Sequence, residues 1–206
     1  MRQPPYEVSP FVDYLCYNGS MKRCKWVDET NELYVKYHDT EWGIPSYDDH
    51  YLFEMLLLES FQAGLSWITI LKKREAFREA FDDFDVIKVS QYDKAKILSL
   101  MSNQKIVRNQ LKIRATVNNA KIFIKIQQEF GSFANYIWSF TDGKIIYNEN
   151  DELPTTSSLS DQVSADLKRR GMKFVGSTII YSYLQAMGVI NDHETTCDFY
   201  KRSKVF

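Results

Sequence analysis

Apolar residues recur along most of the chain at spacings of three and four, which mark one face of an α-helix. In the clearest such segment, Asp48 or Asp49 is suited to cap the start of a helix and Gly64 to end it. A second helix is predicted to start afresh at Ser66, another favourable N-cap residue. Further helices are predicted at residues 85–90, 93–102, 109–129 and 132–139, and a last pair at 160–171 and 177–188.

Strand signals are few, and the best of them is KIIYN at residues 144–148. The polar stretch YNENDELPTTSSLS, residues 147–160, precedes the last pair of helices, and no repeat or long linker divides the chain. The pattern therefore predicts an all-α fold of six or more helices in a single domain. Because Met21 is a candidate natural start, we assign residues 1–20 to an N-terminal extension and residues 21–206 to the domain.

Composition and charge indicate the cellular environment of the protein more than they indicate its function. Of 206 residues, 44% are hydrophobic, enough for a core, and the net charge is −1, so no overall positive field indicates nucleic acid. Basic residues nevertheless cluster at 71–74, 105–114 and 168–173, although each cluster alone is also typical of a solvated helix face. Three cysteines and the absence of a signal-like or membrane-spanning apolar run predict a reduced, cytoplasmic protein without membrane contact.

Cysteine and histidine occur close together near both ends of the chain. The segment NDHETTC places His193 four residues before Cys197, and the segment CKWVDETNELYVKYH contains Cys24 and His38. Four such ligands satisfy tetrahedral zinc, and because the protein would fill every position, the site would be structural. The alternative is that the four are unrelated, since free cysteines are often small buried hydrophobes.

Glu59 is an acidic residue on a predicted apolar helix face, which it shares with Leu52, Met55 and Leu56. A carboxylate turned toward a core is costly unless it is paired or used in function. It is therefore either a candidate functional residue or the buried partner of an Arg or Tyr.

Four segments, in order, resemble the 3-methyladenine DNA glycosylase I family, and the likeness extends from residue 21 to about residue 200. They are YHDTEWG (37–43), LESFQAGLSWITILKKRE (58–75), KRRGMKFVGSTI (168–179) and NDHETTC (191–197). The resemblance implies a helix-hairpin-helix enzyme of base-excision repair that removes 3-methyladenine from alkylated double-stranded DNA. Because no lysine occupies a recognisable Schiff-base position, we predict a monofunctional glycosylase without strand cleavage, and we expect a monomer without a protein partner.

The resemblance assigns roles to particular residues. It implies one structural Zn²⁺ that joins the chain ends through Cys24, His38, His193 and Cys197. It places Glu59 and Tyr37 at the reacting base, where an ionised Glu59 would accept hydrogen bonds from the exocyclic amine. The surrounding rings would hold the flipped base, although each ring taken singly also fits a core position. These rings are Trp67, Trp26, Tyr34 and Trp42.

Two turns are implied to hold the DNA. In MKFVGST, the backbone amides around Gly176 and Ser177 would bind phosphate, with Lys173 adding charge. In QAGLS, Leu65 would be the wedge that fills the space of the flipped nucleotide, beside Gln62 and Gly64; its alternative is a core position.

At two positions, the roles known in the family are not carried over directly to this sequence. Phe61 stands where the family often has a polar residue, which predicts altered contacts at the wedge. Asp192 lies near the place where many related glycosylases carry a catalytic aspartate, but we do not predict that role for it.

Two other functions compete with a glycosylase. One is a non-catalytic, zinc-containing helical module that binds nucleic acid, and the other is a thiol redox protein using Cys24 and Cys197. The redox alternative lacks a C-x-x-C motif and leaves the histidines unexplained.

Overall fold

Nine helices and two short strands form the part of the chain that the computed structural model describes, residues 21–150 and 153–200. The predicted N-terminal extension, residues 1–20, lies outside these residues. The helices are α1 (Glu32–Thr40), α2 (Asp49–Gln62), α3 (Trp67–Ala80), α4 (Val86–Ser90), α5 (Lys94–Ser102), α6 (Gln110–Phe130), α7 (Phe133–Ser139), α8 (Ser158–Arg169) and α9 (Ser177–Ala186), and a 3-10 turn spans Asp82–Phe84. The predicted mostly helical fold is confirmed. The sequence pattern missed α1, because its buried positions are Tyr37, His38 and Asp39 rather than an apolar stripe.

Helix α2 is the central element, in contact with α3, α6, α7 and α9. All ten residues from Leu52 to Phe61 are buried, so this helix is enclosed on every side and has no single apolar face. Asp48 is its N-cap and accepts a hydrogen bond from the backbone amide of His50. Asp49 instead accepts from the backbone amides of Phe133 and Ala134, and thereby joins the start of α2 to the start of α7.

The predicted strand at KIIYN is real but short. Strand β1 (Ile146–Tyr147) pairs in parallel with β2 (Ile190–Asn191), in the register Ile146 to Ile190 and Tyr147 to Asn191. Because β2 immediately precedes Asp192 and His193, this pairing fixes where the C-terminal segment starts.

The two ends of the described chain are hydrogen-bonded to each other. The backbone amide of Lys22 donates to the Asp198 carboxylate at 2.9 Å, and the Asp198 amide donates to the Lys22 carbonyl at 2.9 Å. A third bond runs from the Lys25 amide to Glu194 Oε1 at 2.8 Å. These contacts bring Cys24 and Cys197 together.

Phe61 belongs to the aromatic core. Its ring centroid lies 4.8 Å from that of Phe77 and 5.8 Å from that of Phe81, and only 1% of the residue is exposed. The prediction that Phe61 alters the wedge contacts is therefore wrong, because its ring faces the protein interior.

In the described ranges, no helix is long and apolar enough to span a bilayer.

Candidate active site

Glu59 lies near the C-terminal end of α2 and is 3% exposed. Its Oε2 has no hydrogen-bond partner among the described residues. Burial raises the pKa of Glu59 to about 8, because desolvation disfavours the charged form of a carboxyl group. In the free protein, the carboxyl group is therefore protonated below that pH. The expectation that Glu59 is ionised when it binds the base stays a prediction, and a neighbouring cation such as a methylated base would favour that ionised form.

Tyr37 on α1 lies close enough to this carboxyl group to feel its charge, and Trp67 at the start of α3 packs against Tyr37. Their ring centroids are 5.3 Å apart with an interplanar angle of 52°. Burial is the main cause that raises the pKa of Tyr37, and the charge of Glu59 is the next. Trp67 Nε1 is buried and has no hydrogen-bond partner in the described part of the chain. Three helices thus bring a carboxyl group, a phenol and an indole to one place, with two buried polar atoms left unpaired.

Arg74 is a buried arginine of the neighbouring helix α3, but it pairs with two glutamates other than Glu59. Arg74 on α3 donates from Nε to Glu54 Oε1 at 2.8 Å and from Nη1 to Glu41 Oε2 at 2.5 Å. The alternative that Glu59 is the buried partner of an arginine therefore gains no support from the structure. Sequence reasoning missed Arg74, although a basic residue seven positions after Trp67 is on the same helix face and was a usable signal.

The other three predicted base-binding rings form a neighbouring group. The ring centroid of Trp26 lies 5.0 Å from that of Trp42 and 5.8 Å from that of Tyr34, both in edge-to-face geometry. The Trp42 ring also meets the edge of His193 at 4.6 Å. Trp26 Nε1 is a further buried atom without a partner within the described ranges. A role of these rings in base binding stays a prediction, while their packing connects α1 to the candidate metal ligands.

Three of the four predicted metal ligands converge. The ligand atoms of Cys24, His38 and Cys197 all lie within 4.8 Å of one another, and all three residues are buried. His38 Nε2 is 3.6 Å from Cys197 Sγ. The fourth, His193, stands beside them with its ring centroid 5.0 Å from that of His38, and its Nε2 is buried without a partner among the described residues.

Both histidines are oriented by hydrogen bonds at their other ring nitrogen, as metal-binding histidines usually are. His38 Nδ1 lies 2.8 Å from Asp39 Oδ1, and His193 Nδ1 lies 3.0 Å from Asn191 Oδ1. Burial, followed by the neighbouring His38, lowers the pKa of His193 to about 3, so its imidazole is neutral as a metal ligand must be. Gly43 leaves space for this ring, because a Cβ there would lie 2.6 Å from His193 Cε1. Two thiols and two imidazoles in this arrangement fit a structural zinc site.

The QAGLS turn between α2 and α3 projects from the surface. Leu65 is 42% exposed, Gly64 has a φ of +85°, and Gln62 is half-buried at the end of α2. Because Leu65 is exposed, the alternative that it is a core residue is removed. Ser66 occupies the N-cap position of α3, but its hydroxyl lies 2.8 Å from the Thr69 hydroxyl rather than on a backbone amide.

The second predicted DNA turn joins α8 to α9. Gly176 is the N-cap of α9, and no side chain among the described residues caps that helix. The Ser177 hydroxyl lies 2.8 Å from the Ser160 hydroxyl of α8, which holds the two helices together at this end. Lys173 is exposed on the connection. The turn therefore presents a helix N-terminus, a glycine and a cation on one surface.

Asp192 is 2% exposed, and its Oδ2 accepts hydrogen bonds from the Tyr181 hydroxyl and Gln185 Nε2, each at 2.5 Å. Asp192 Oδ2 is therefore held by α9, whereas Asp192 Oδ1 is buried without a hydrogen-bond partner among the described residues.

The comparisons with known proteins agree with this arrangement. DNA-3-methyladenine glycosylase 1 of Escherichia coli (strain K12) is 43% identical over 187 residues, which cover 89% of this chain and 100% of that protein. A crystal structure of 3-methyladenine DNA glycosylase I has a TM-score of 0.82 at 45% identity, covering 86% of this chain and 98% of its own. A variant of 3-methyladenine DNA glycosylase I, in a crystal structure with 3-methyladenine, has a TM-score of 0.83 at 40% identity, covering 86% and 97%.

Fold and site together define a DNA glycosylase, an enzyme rather than a binding module. A family model described as methyladenine glycosylase matches residues 26–201, and the chain belongs to this family. The predicted family and enzyme class are thus confirmed, whereas the roles of the single residues stay predictions.

Proposed function

We propose that this chain removes 3-methyladenine from alkylated double-stranded DNA by hydrolysing its N-glycosidic bond. The observation that carries the proposal is the buried Oε2 of Glu59, which has no hydrogen-bond partner in the described part of the chain, near Tyr37 and the Trp67 ring packed against it. A site that keeps such polar atoms unpaired loses folding free energy, which is typical of a group held ready for a ligand. The relative crystallised with 3-methyladenine indicates which ligand this is.

The chemistry of the lesion matches these residues. Methylation at N3 makes the purine cationic, so the base is primed to leave and requires little acid catalysis. The cation favours the ionised form of Glu59, which then accepts hydrogen bonds from the exocyclic amine. The Trp67 face attracts and stacks on the charged ring, and the Tyr37 hydroxyl supplies a further polar contact. An unmethylated, neutral adenine supplies no cation, so Glu59 would stay protonated and this charge attraction would be absent, and the difference favours the damaged base.

Base flipping requires a grip on the DNA backbone and a filler for the gap. In the proposed complex, the amides around Gly176 and Ser177 bind phosphate with Lys173 beside them, in the manner of a helix-hairpin-helix motif. Leu65 enters the duplex at the lesion, with Gln62 and Gly64 next to it. Neither turn offers an array of side chains for base edges, which suits an enzyme that acts in any sequence context.

A single structural Zn²⁺ is part of the proposal, held by Cys24, His38, His193 and Cys197. When bound, zinc would supply four bonds that join the two ends of the chain near Trp42. The thiolates need a reducing environment, in keeping with the predicted cytoplasmic location.

The deciding experiment compares base release from DNA treated with a methylating agent by the wild type, Glu59→Gln and Glu75→Gln. Glu75 is an exposed glutamate of α3 and serves as the matched control. We expect free 3-methyladenine from the wild type and the control, and release reduced about a hundredfold or more in Glu59→Gln. The DNA strand should stay intact until alkali treatment, as for a monofunctional enzyme.

Two outcomes would contradict the proposal. A folded wild type that releases no base would favour the non-catalytic nucleic-acid-binding module. Equal release by wild type and Glu59→Gln would remove Glu59 from the reaction.

A further inference from the structure

Helix α6 contacts both turns that the proposed function assigns to DNA. Its first contact is Lys112, whose Nζ donates to the carbonyl oxygens of Phe61 at 2.9 Å and Ala63 at 2.7 Å. Lys112 belongs to the basic cluster at residues 105–114, yet it is only 6% exposed. Its ammonium group thus holds the last carbonyls of α2, directly before Leu65, where a cation is also favoured by the helix dipole.

The second contact is made by Asn119, seven residues further along the same face of α6. Asn119 is 1% exposed, and its amide binds both backbone groups of Lys173. Nδ2 donates to the Lys173 carbonyl at 2.8 Å, and the Lys173 amide donates to Oδ1 at 2.9 Å. The neighbouring Asn118 donates to the Gly171 carbonyl at 2.9 Å. The connection between α8 and α9 is therefore fixed to α6 at two residues.

A third contact closes the arrangement. The Ser60 hydroxyl of α2 shares its proton between the Leu56 carbonyl of its own helix at 2.8 Å and the Phe174 carbonyl at 3.1 Å. Phe174 has a φ of +55°, an uncommon value for a residue with a side chain, so this backbone conformation depends on its surroundings. The C-terminal part of α2 that leads into the QAGLS turn, the α8–α9 connection and α6 thus form a closed set of three hydrogen-bonded elements.

We propose that Lys112 and Asn119 are positioning residues for base flipping, which fix the spacing between the Leu65 turn and the phosphate-binding connection. Seven residues of helix span about 10 Å, and a helix holds that length rigidly. When the amides near Gly176 hold the backbone, this spacing places Leu65 at the nucleotide to be flipped. The inference rests on the proposed function, since it assigns no chemistry of its own.

The geometry predicts that changes at Lys112 and Asn119 affect base release from DNA but not binding of the free base. The side-chain hydrogen bonds of Lys112 go to Phe61 and Ala63, and those of Asn119 join it to Lys173. None of these bonds involves Glu59, Tyr37 or Trp67. Removing either one loosens a turn relative to the duplex but leaves the base site on α1, α2 and α3. A wedge displaced by about 1 Å can cost about a hundredfold in rate, whereas a free base needs no wedge.

The test uses Lys112→Met and Asn119→Ala, with Lys125→Met as the matched control. Lys125 is an exposed lysine on the same helix. Binding of free 3-methyladenine is measured by the change in tryptophan fluorescence. Single-turnover release is measured on an oligonucleotide with one methylated adenine, annealed opposite thymine or opposite an abasic site.

We expect both variants to bind the free base within about twofold of the wild type, because the base site is intact. Release opposite thymine should fall about tenfold or more. Release opposite an abasic site should recover most of that loss, because the lesion then has no pairing partner to be separated from. A residue with a merely structural role would not produce this recovery.

Two results would overturn the inference with the proposed function intact. One is release opposite thymine equal to that of Lys125→Met, and the other is a parallel loss of free-base binding and release on both duplexes. Failure of the proposed function is distinguishable, because the wild type itself would then release no base from either duplex.

Discussion

Arg74 lies 2.5 Å from Glu41, so a guanidinium group on α3 holds the carboxylate at the C-terminal end of α1. The same guanidinium binds Glu54 of α2 at 2.8 Å. The three helices that carry Tyr37, Glu59 and Trp67 are therefore joined through one side chain. Burial opposes ionisation of Glu54, but the hydrogen bonds from Arg74 and Arg78 outweigh it and lower the pKa of Glu54.

Arg74→Met should lower the free energy of unfolding by about 3 kcal/mol, because it leaves the partly buried Glu41 without its cation and the buried Glu54 with Arg78 alone. Urea unfolding followed by circular dichroism measures this loss. Glu75→Gln removes only an exposed contact with Arg78 and should change the same quantity by about 0.5 kcal/mol or less. Equal losses in the two variants would show that the Arg74 contacts do not stabilise the junction.

Glu59→Gln should stabilise the protein increasingly as the pH rises. Burial raises the pKa of Glu59 from its usual 4.5 to about 8. Between these values, the folded chain keeps a proton that the unfolded chain has released, so the wild type loses free energy of unfolding across this window. One pKa unit corresponds to about 1.4 kcal/mol, so the full effect is on the order of 3 to 5 kcal/mol.

Urea midpoints of wild type and Glu59→Gln at pH 5, 6.5 and 8 test this dependence. The difference should be small at the lowest pH and largest at the highest. A difference that stays constant over the series would mean that Glu59 does not titrate within the window.

Trp67→Leu should weaken binding of free 3-methyladenine by about 5- to 150-fold, because stacking of one base on an aromatic ring contributes about 1 to 3 kcal/mol. Trp67→Phe keeps a π-face and should lose much less. Titration calorimetry with the free base gives both values. If leucine and phenylalanine behave alike, the ring acts through packing with Tyr37 rather than by stacking on the base.

Purified protein should contain about one zinc per chain by mass spectrometry of the metal, since four ligands complete a structural site. Cys197→Ser and His193→Ala should each lower this content and reduce the thermal midpoint, because binding free energy of the metal contributes to folding. Cys16→Ser changes a cysteine outside the proposed ligand set and should keep full zinc. Loss of zinc in Cys16→Ser but not in Cys197→Ser would refute the ligand assignment.

Leu65→Ala should reduce base release from methylated duplex DNA about tenfold or more, while binding of the free base stays unchanged. The physical reason is that the gap in the stack is no longer filled when the base leaves it. Leu98→Ala alters another exposed leucine, 64% exposed on α5, and should leave both measurements as in the wild type. A loss of free-base binding in Leu65→Ala would place this residue at the base site instead.

Local patterns and motifs were sufficient for much of this protein. The periodicity of apolar residues predicted α2 and α3 to within one or two residues, because capping residues such as Asp48 act through their immediate neighbours. The four motifs predicted the family, since they specify particular side chains at particular positions. Residue types made His193 a candidate zinc ligand, but only the resemblance assigned Tyr37 to the base site, because no local pattern reports contacts between distant segments of the chain.

Tertiary structure decided the rest, and in each case the reason is contact between distant segments. The burial of α2 on all sides raises the pKa of Glu59 to about 8, although the sequence had placed this residue on one apolar face. Packing turned Lys112 from a member of a basic cluster into a buried contact with α2, and Phe61 from a wedge neighbour into a core ring. The sequence by itself thus determined the helices, the family and the residue types of the site. The three-dimensional neighbours of each group decide which carboxyl group is paired, which is left unpaired and which lysine is buried. The reason is that desolvation and hydrogen bonding are properties of the folded surroundings.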